Sequence, residues 1–242
     1  MATEPTRTPS QQLALLLYAL GAVKTRNHPT AVSRPSGERG FKLKLHERTP
    51  DAPLSPVYLN LRTPENPKPG PLTPEVVELA GKVLYRRASA ACLGYTHIAG
   101  VPRAGEPLAQ AFQRAAARDS REVSILTLAK DDVGSGGARR VTGLVPGQAF
   151  RAGEVVLLID DLITKADSKI EAIEALKAAG LRVTDVLVLV DREQGGRDEL
   201  RQHRVFLNAA FTLRGLLDLY VEDGQLSAGT RDEIVAYLAA NS

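Results

Sequence analysis

The sequence predicts an α/β protein: a parallel sheet flanked by helices, with a small unit preceding it at the N-terminus. Three observations carry this. The runs THIAGVP, EVSILTL, EVVLLID and DVLVLVD are apolar without alternation, as strands buried on both faces are. The amphipathic segments EPLAQAFQRAAARD and DSKIEAIEALKAAG fall between them, giving the order strand, helix, strand, loop, strand, helix, strand. The run EVVLLID also passes straight into a second aspartate and a short polar loop before its helix, which is where open parallel sheets place their ligands.

From the N-terminus, residues 1 to 10, MATEPTRTPS, read as a disordered lead. A helix is expected over Ser10 to Leu20, and GFKLKLHE and SPVYLNLR read as strands by alternation and β-branched content. These make a small N-terminal unit, residues 11–72, in which ERTPDAPL forms a surface hairpin extension between the two strands. The segment TPENPKPGPLTP, with five prolines, excludes regular structure and marks the boundary to a core of residues 73–242. PEVVELAGKVLYRRAS then reads as a helix with Pro74 in its first turn, and TLRGLLDLYVEDGQLS and GTRDEIVAYLAA read as two closing helices.

Composition narrows the function. At 242 residues and 43% hydrophobic content the chain can bury a substantial core. No apolar run approaches the roughly 18 residues of a membrane span, and LALLLYAL is too short and lacks a cleavage site, so a cytoplasmic protein is expected. Cys92 is the single cysteine and the four histidines are scattered, which gives no disulfide and no zinc spacing. The net charge of +3, with 5% aromatics and no tryptophan, argues against nucleic-acid binding. Local basic clusters, Lys42 with Lys44, Arg86 with Arg87 and Arg139 with Arg140, suit a phosphate-rich small ligand or no ligand at all. His46 reads as a surface residue and His97 as a structural one.

At the end of the third core strand, Asp160 and Asp161 can accept hydrogen bonds from sugar hydroxyls or hold Mg²⁺ through water. The turn that follows can offer amides to a phosphate. A strand, a turn and a helix cap without ligand is the alternative reading of the same residues.

The wider motif resembles a known family. EVVLLIDDLITKADSKIEAIEALKAAG is similar to the phosphoribosyl pyrophosphate motif of the type I phosphoribosyltransferases, and LRVTDVLVLVDREQGG resembles the orotate phosphoribosyltransferases in particular. GVPRAGEPLA resembles that family's pyrophosphate loop, and GFKLKLHE with SPVYLNLR its N-terminal hood. The resemblance implies the type I phosphoribosyltransferase fold, orotate and phosphoribosyl pyrophosphate as substrates, Mg²⁺ as cofactor and a homodimer in pyrimidine biosynthesis.

Carried over by position, the resemblance implies that Asp160 and Asp161 bind the ribose hydroxyls and meet Mg²⁺ through water or ribose. Leu162, Ile163, Thr164, Lys165, Ala166, Asp167 and Ser168 would hold the 5-phosphate, with Thr164 also touching the base. Lys44, Tyr58, Leu59 and Arg192 would form the base pocket, Arg192 pairing with the orotate carboxylate. Pro102, Arg103 and Ala104 would lie along the pyrophosphate, and Lys130 would serve catalysis.

The chain departs from the family at Ala166 and Asp167, where relatives carry small residues including glycine, and at Ala104. It departs again in KDDVGSGG, where relatives carry a basic loop and only Lys130 aligns; Arg139 and Arg140 read as caps of the next strand. These departures raise a second reading, a catalytically weak phosphoribosyltransferase-fold protein acting as a sensor. A third is the same enzyme class with another base, ranked last because DREQGG is intact.

Overall fold

The structure, a computed structural model, describes residues 7–47, 49–131 and 140–241. The chain runs α1 (Pro9–Ala19), β1 (Val23–Thr25), β2 (Val32–Ser33), β3 (Arg39–Gly40), a 3-10 turn (Lys44–Glu47), β4 (Val57–Leu59) and α2 (Pro74–Ala90). There follow β5 (His97–Gly100), α3 (Gly105–Arg118), β6 (Ser124–Leu126), β7 (Leu128–Asp131), β8 (Arg140–Leu144), β9 (Val156–Ile163) and α4 (Asp167–Ala178). The chain closes with β10 (Asp185–Asp191), α5 (Gly196–Gln202), β11 (Phe206–Thr212), α6 (Leu213–Glu222) and α7 (Ala228–Ala240).

The central sheet has five parallel strands in the order β11-β10-β9-β5-β6. The chain builds outward from β5 in one direction to β6 and in the other from β9 to β11, so the winding reverses between β5 and β9. The apolar runs supply both faces because side chains alternate along a strand. Leu157, Ile159, Leu187 and Leu189 pack with α1, α2, α3, α6 and α7. Val156, Leu158, Val186 and Val188 pack on the other face with Ala172, Ile173 and Leu176 of α4 and Leu200 of α5. Among the described residues, no helix is long and apolar enough to cross a membrane.

Helix ends follow their caps. Thr8 caps α1 in a capping box with Gln11, so the end of the stretch expected to be a disordered lead is ordered; residues 1–6 lie outside the described ones. Thr73, Thr212 and Ser227 cap α2, α6 and α7. Gly81 lets α2 and α3 pack closely, since a Cβ there would collide with the backbone and side chain of Ala111.

Several expectations are corrected. GFKLKLHE is not a strand: pairing stops after Phe41, which bridges Ser55, and the chain turns into the 3-10 segment. The cause is His46, which is 7% exposed and therefore not a surface residue. Its Nδ1 accepts the Leu43 amide at 2.8 Å, and its Nε2 donates to the Ala52 carbonyl at 3.2 Å. The insertion ERTPDAPL, whose residue 48 lies outside the described set, makes no strand pair of its own there; Arg34 gathers the carbonyls of Pro50 and Ala52, each at 2.7 Å. The fifth strand, β11, was not expected, because Asn208 and the small Ala209 and Ala210 break any strong apolar signal at this half-buried sheet edge. β7 and β8 form an antiparallel pair from the stretch read as a loop; residues 132–139, Arg139 among them, lie outside the described residues. Arg140 is the first residue of β8.

Candidate active site

A cavity of about 510 Å³ opens beyond the carboxyl ends of β5 and β9, at the point where the sheet's winding reverses. Strand β9 and the turn after it bring Asp160, Asp161, Leu162, Thr164, Lys165, Ser168 and Lys169 to its wall. The turn between β5 and α3 brings Val101, Pro102, Arg103 and Ala104, with a cis peptide between Pro102 and Arg103. Gly105 lets this turn lie against β9, since a Cβ there would run into the carbonyl of Ile159. Lys130 reaches in from β7 and donates to the Pro102 carbonyl at 3.2 Å.

The fourth wall comes from the proline-rich connector, which supplies Arg62, Asn66, Pro67 and Lys68. Sequence reading treated this segment as a boundary, and composition holds no signal that a linker folds over a pocket. Six cationic side chains, Arg62, Lys68, Arg103, Lys130, Lys165 and Lys169, thus face two aspartates. Such a positive, concave field suits a ligand bearing several phosphates.

Both aspartates are buried, Asp160 at 3% and Asp161 at 7% exposure. Asp160 is tied on both oxygens: Oδ1 accepts the Asp161 amide at 2.9 Å, and Oδ2 meets Lys169 Nζ at 2.5 Å. Burial, reinforced by the neighbouring Asp160, pushes the Asp161 carboxyl up to about 8, against the pull of Lys169 and Arg62. Burial likewise raises Glu106, on the first turn of α3, while Arg103 and Lys130 oppose the rise.

Among the described residues no group of three or more His, Cys, Asp or Glu side chains is placed to hold a metal ion. With the Asp161 amide on Asp160 Oδ1 and Lys169 on Oδ2, the pair suits sugar hydroxyls and a cation that arrives on a ligand and is met through water. It does not suit a metal ligated by both carboxylates.

The turn after β9 is organised by charge. The Ala166 amide donates to Glu199 Oε2 of α5 at 2.6 Å, and Lys165 Nζ lies 3.8 Å from Glu199 Oε1. Gly195, at φ +94°, starts α5 where a Cβ would strike Lys165 Nζ. Asp167 is the exposed first residue of α4 and makes no capping bond. Ser168 lines the cavity, whereas Ile163 and Ala166 are fully buried beneath it in the core.

The remaining expected residues lie apart from this cavity's wall. Tyr58 and Leu59 sit on β4, paired with β1, and the Tyr58 ring stacks on Phe41 at 5.5 Å. Lys44 is in the 3-10 turn, and its side chain lies outside the described residues. Arg192 follows β10, where its amide donates to the Ile163 carbonyl at 3.0 Å, one residue before Thr164 of the cavity wall. Its side chain is 6% exposed, and its Nε and one terminal nitrogen, Nη2, have no hydrogen-bond partner; burial pulls its pKa down from the ordinary value. Buried donors without acceptors mark a place prepared for a ligand's carboxylate or carbonyl oxygens. His97, far from this end of β5, bonds Glu154 at 2.7 Å in the structural role expected of it.

No family profile matches the chain. Bovine uridine 5′-monophosphate synthase is 30% identical to it over 189 residues, 78% of this chain and 36% of that protein. The orotate phosphoribosyltransferase of Aquifex aeolicus is 30% identical over 148 residues, 60% of this chain and 75% of that enzyme. The chain belongs to the orotate phosphoribosyltransferase family. The crystal structure of the Aeropyrum pernix orotate phosphoribosyltransferase has the same fold, with a TM-score of 0.58 at 24% identity, over 89% of this chain and 99% of that one. The chain therefore spans about a third of the length of the bovine protein and most of the length of the two single-activity relatives.

Ala166 lies in the turn after β9, at a position where the resemblance implies a glycine. Its backbone lies at φ −94°, a conformation alanine adopts freely, so the turn closes here without positive φ. Lys169 and Glu199 also escaped sequence reading. A lysine on the first turn of an amphipathic helix and a glutamate on the first turn of another read as solvent-facing charges.

Proposed function

We propose that this protein is an orotate phosphoribosyltransferase, forming orotidine 5′-phosphate and pyrophosphate from orotate and phosphoribosyl pyrophosphate. The observation that carries the reading is the pairing of two sites on neighbouring strand ends. β9 presents an acid pair and a short turn within a cationic cavity, and β10 presents the buried, unpaired guanidinium of Arg192.

In this reading the acid pair meets the ribose hydroxyls and the turn from Leu162 to Ser168 receives the 5-phosphate. Arg103, Lys130 and the connector's Arg62 and Lys68 draw the negative charge of the leaving pyrophosphate, and Arg192 holds the orotate carboxylate. Lys44, Tyr58 and Leu59 belong to the base pocket by resemblance. Bond cleavage at the anomeric carbon places positive charge on the ribose ring and negative charge on the departing pyrophosphate. The protein's task is to hold the base nitrogen in line, neutralise the leaving group and exclude water. Mg²⁺ bound to pyrophosphate would add Lewis-acid neutralisation, with Asp161 reaching it through water or ribose. A cytoplasmic homodimer acting in pyrimidine (UMP) biosynthesis completes the proposal, on the strength of the resemblance.

The test is calorimetric titration of orotate, in the presence of ribose 5-phosphate, into the wild-type chain and Arg192→Ala. The reading expects binding by the first and its loss in the second. Equal affinities would remove the case for this base.

A further inference from the structure

Arg192 and Gln194 stand on either side of Glu193, the left-handed residue (φ +59°) of the turn after β10, and each is only 6% exposed. Each leaves polar atoms buried without a hydrogen-bond partner: Nε and Nη2 of Arg192, and Oε1 of Gln194. The acids beside them are engaged elsewhere. Asp191 takes the Glu193 amide at 2.8 Å and Arg197 at 3.1 Å, and Glu193 takes the Arg214 amide at 3.2 Å. Both side chains meet one stripe of α7. Gln194 Nε2 donates to the Asn241 carbonyl at 3.2 Å, and Asn241 Nδ2 donates to the Tyr237 carbonyl at 2.8 Å. The Tyr237 phenol acts electrostatically on Arg192, opposing the downward pull of burial on its pKa. Residues four apart on a helix are neighbours on one face, so Tyr237 and Asn241 bring Arg192 and Gln194 to the same place. Only the nitrogen of a glutamine amide can face a carbonyl, so the bond to Asn241 also fixes which way Oε1 turns.

We propose that Gln194 is a specificity-determining residue of the base site: its Oε1 accepts the N3 hydrogen of the pyrimidine ring whose carboxylate Arg192 takes, and the last turn of α7 holds its amide in that orientation. The chemistry is complementary on both sides. Two buried donors and a buried acceptor match a planar ring that carries an anionic oxygen pair and an N–H group, and a buried acceptor left unmet costs free energy. N3 is the ring nitrogen that keeps its hydrogen when N1 bonds to the anomeric carbon, so this contact persists through the reaction. The inference rests on the reading of Arg192 as the partner of the orotate carboxylate.

The test compares orotate with 3-methylorotate, in which a methyl group replaces the N3 hydrogen, by calorimetry in the presence of ribose 5-phosphate. The wild-type chain should bind 3-methylorotate about tenfold or more weakly than orotate, because a buried acceptor is left unmet. Gln194→Met, similar in size and without the acceptor, should bind orotate about tenfold more weakly and separate the two ligands by no more than about threefold. The same ratio in both proteins would overturn the inference, since Gln194 would then only brace the turn. A measurement on the wild type alone covers a variant that fails to fold. Orotate labelled with ¹⁵N at N3 should show, when bound, an imino proton protected from exchange with water, and a freely exchanging one would overturn the inference. A wild-type chain that binds no orotate at all would instead overturn the base assignment on which the inference rests.

Discussion

The amide of Ala166 donates to a carboxylate oxygen of Glu199 at 2.6 Å, joining the turn after β9 to the first turn of α5. In the proposed enzyme this amide belongs to the segment that receives the 5-phosphate. Glu199 therefore sets an anion of the protein's own against that turn, and Lys165 leans toward it at 3.8 Å.

Glu199→Ala should free both the amide and Lys165 for a phosphate. Affinity for ribose 5-phosphate is expected to rise about five- to thirtyfold, the ~1–2 kcal/mol of one charge-assisted hydrogen bond. A calorimetric titration at matched salt checks it. Unchanged affinity would mean that the phosphate is held by other amides.

Arg192→Ala should weaken orotate binding by about 2 to 4 kcal/mol, because the ligand's carboxylate would be buried opposite nothing. Arg192→Lys should recover little of this, since an ammonium cannot reproduce the two-pronged geometry of a guanidinium. Affinity for ribose 5-phosphate should be unaffected in both. A parallel loss of both ligands would indicate that Arg192 supports the β10 strand end.

Asp161 makes stability depend on pH. Its carboxyl is pushed up to about 8 in the folded chain, above the ordinary carboxylate value it has when unfolded. The folded state therefore binds the extra proton between roughly pH 4 and 8, and stability falls as pH rises through that window. Thermal unfolding of the metal-free protein should show its midpoint declining from pH 5 to pH 8. Asp161→Asn should flatten this slope and unfold later at pH 8, by about 2–4 °C per kcal/mol gained. An unaltered slope in the variant would place the titration elsewhere.

Arg62 and Lys68 test the fourth wall. Replacing both with alanine should weaken phosphoribosyl pyrophosphate binding by at least about tenfold, with a smaller effect on ribose 5-phosphate, because their charge is assigned to the pyrophosphate. Equal losses for the two ligands would place the connector over the 5-phosphate instead.

Much of this arrangement was legible in the sequence, where the chain obeys a single local rule. Short apolar runs separated by amphipathic helices read as buried parallel strands, and Asp160 at the end of one marked the sheet edge where the cavity opens. The residues that were missed act across the fold. Lys169 carries a surface residue's identity on a buried face, and only its contact with Asp160 explains it. Arg62 and Lys68 depend on where five prolines direct a connector, which no periodicity encodes. The alternation of GFKLKLHE was a strand's pattern overruled by the hydrogen bonds of one buried histidine, His46. β11 was hidden because an edge strand with small residues carries little apolar signal.

The most direct test of the central claim is conversion of orotate. The wild-type chain, mixed with orotate, phosphoribosyl pyrophosphate and Mg²⁺, should consume orotate's ultraviolet absorbance and release equimolar pyrophosphate and orotidine 5′-phosphate. Lys130→Ala should slow turnover by about a hundredfold to a thousandfold, as removal of one charge-stabilising donor does. Tight binding of orotate and phosphoribosyl pyrophosphate with no product at any enzyme concentration would contradict the account, and would make the protein a ligand-binding member of the family rather than an enzyme.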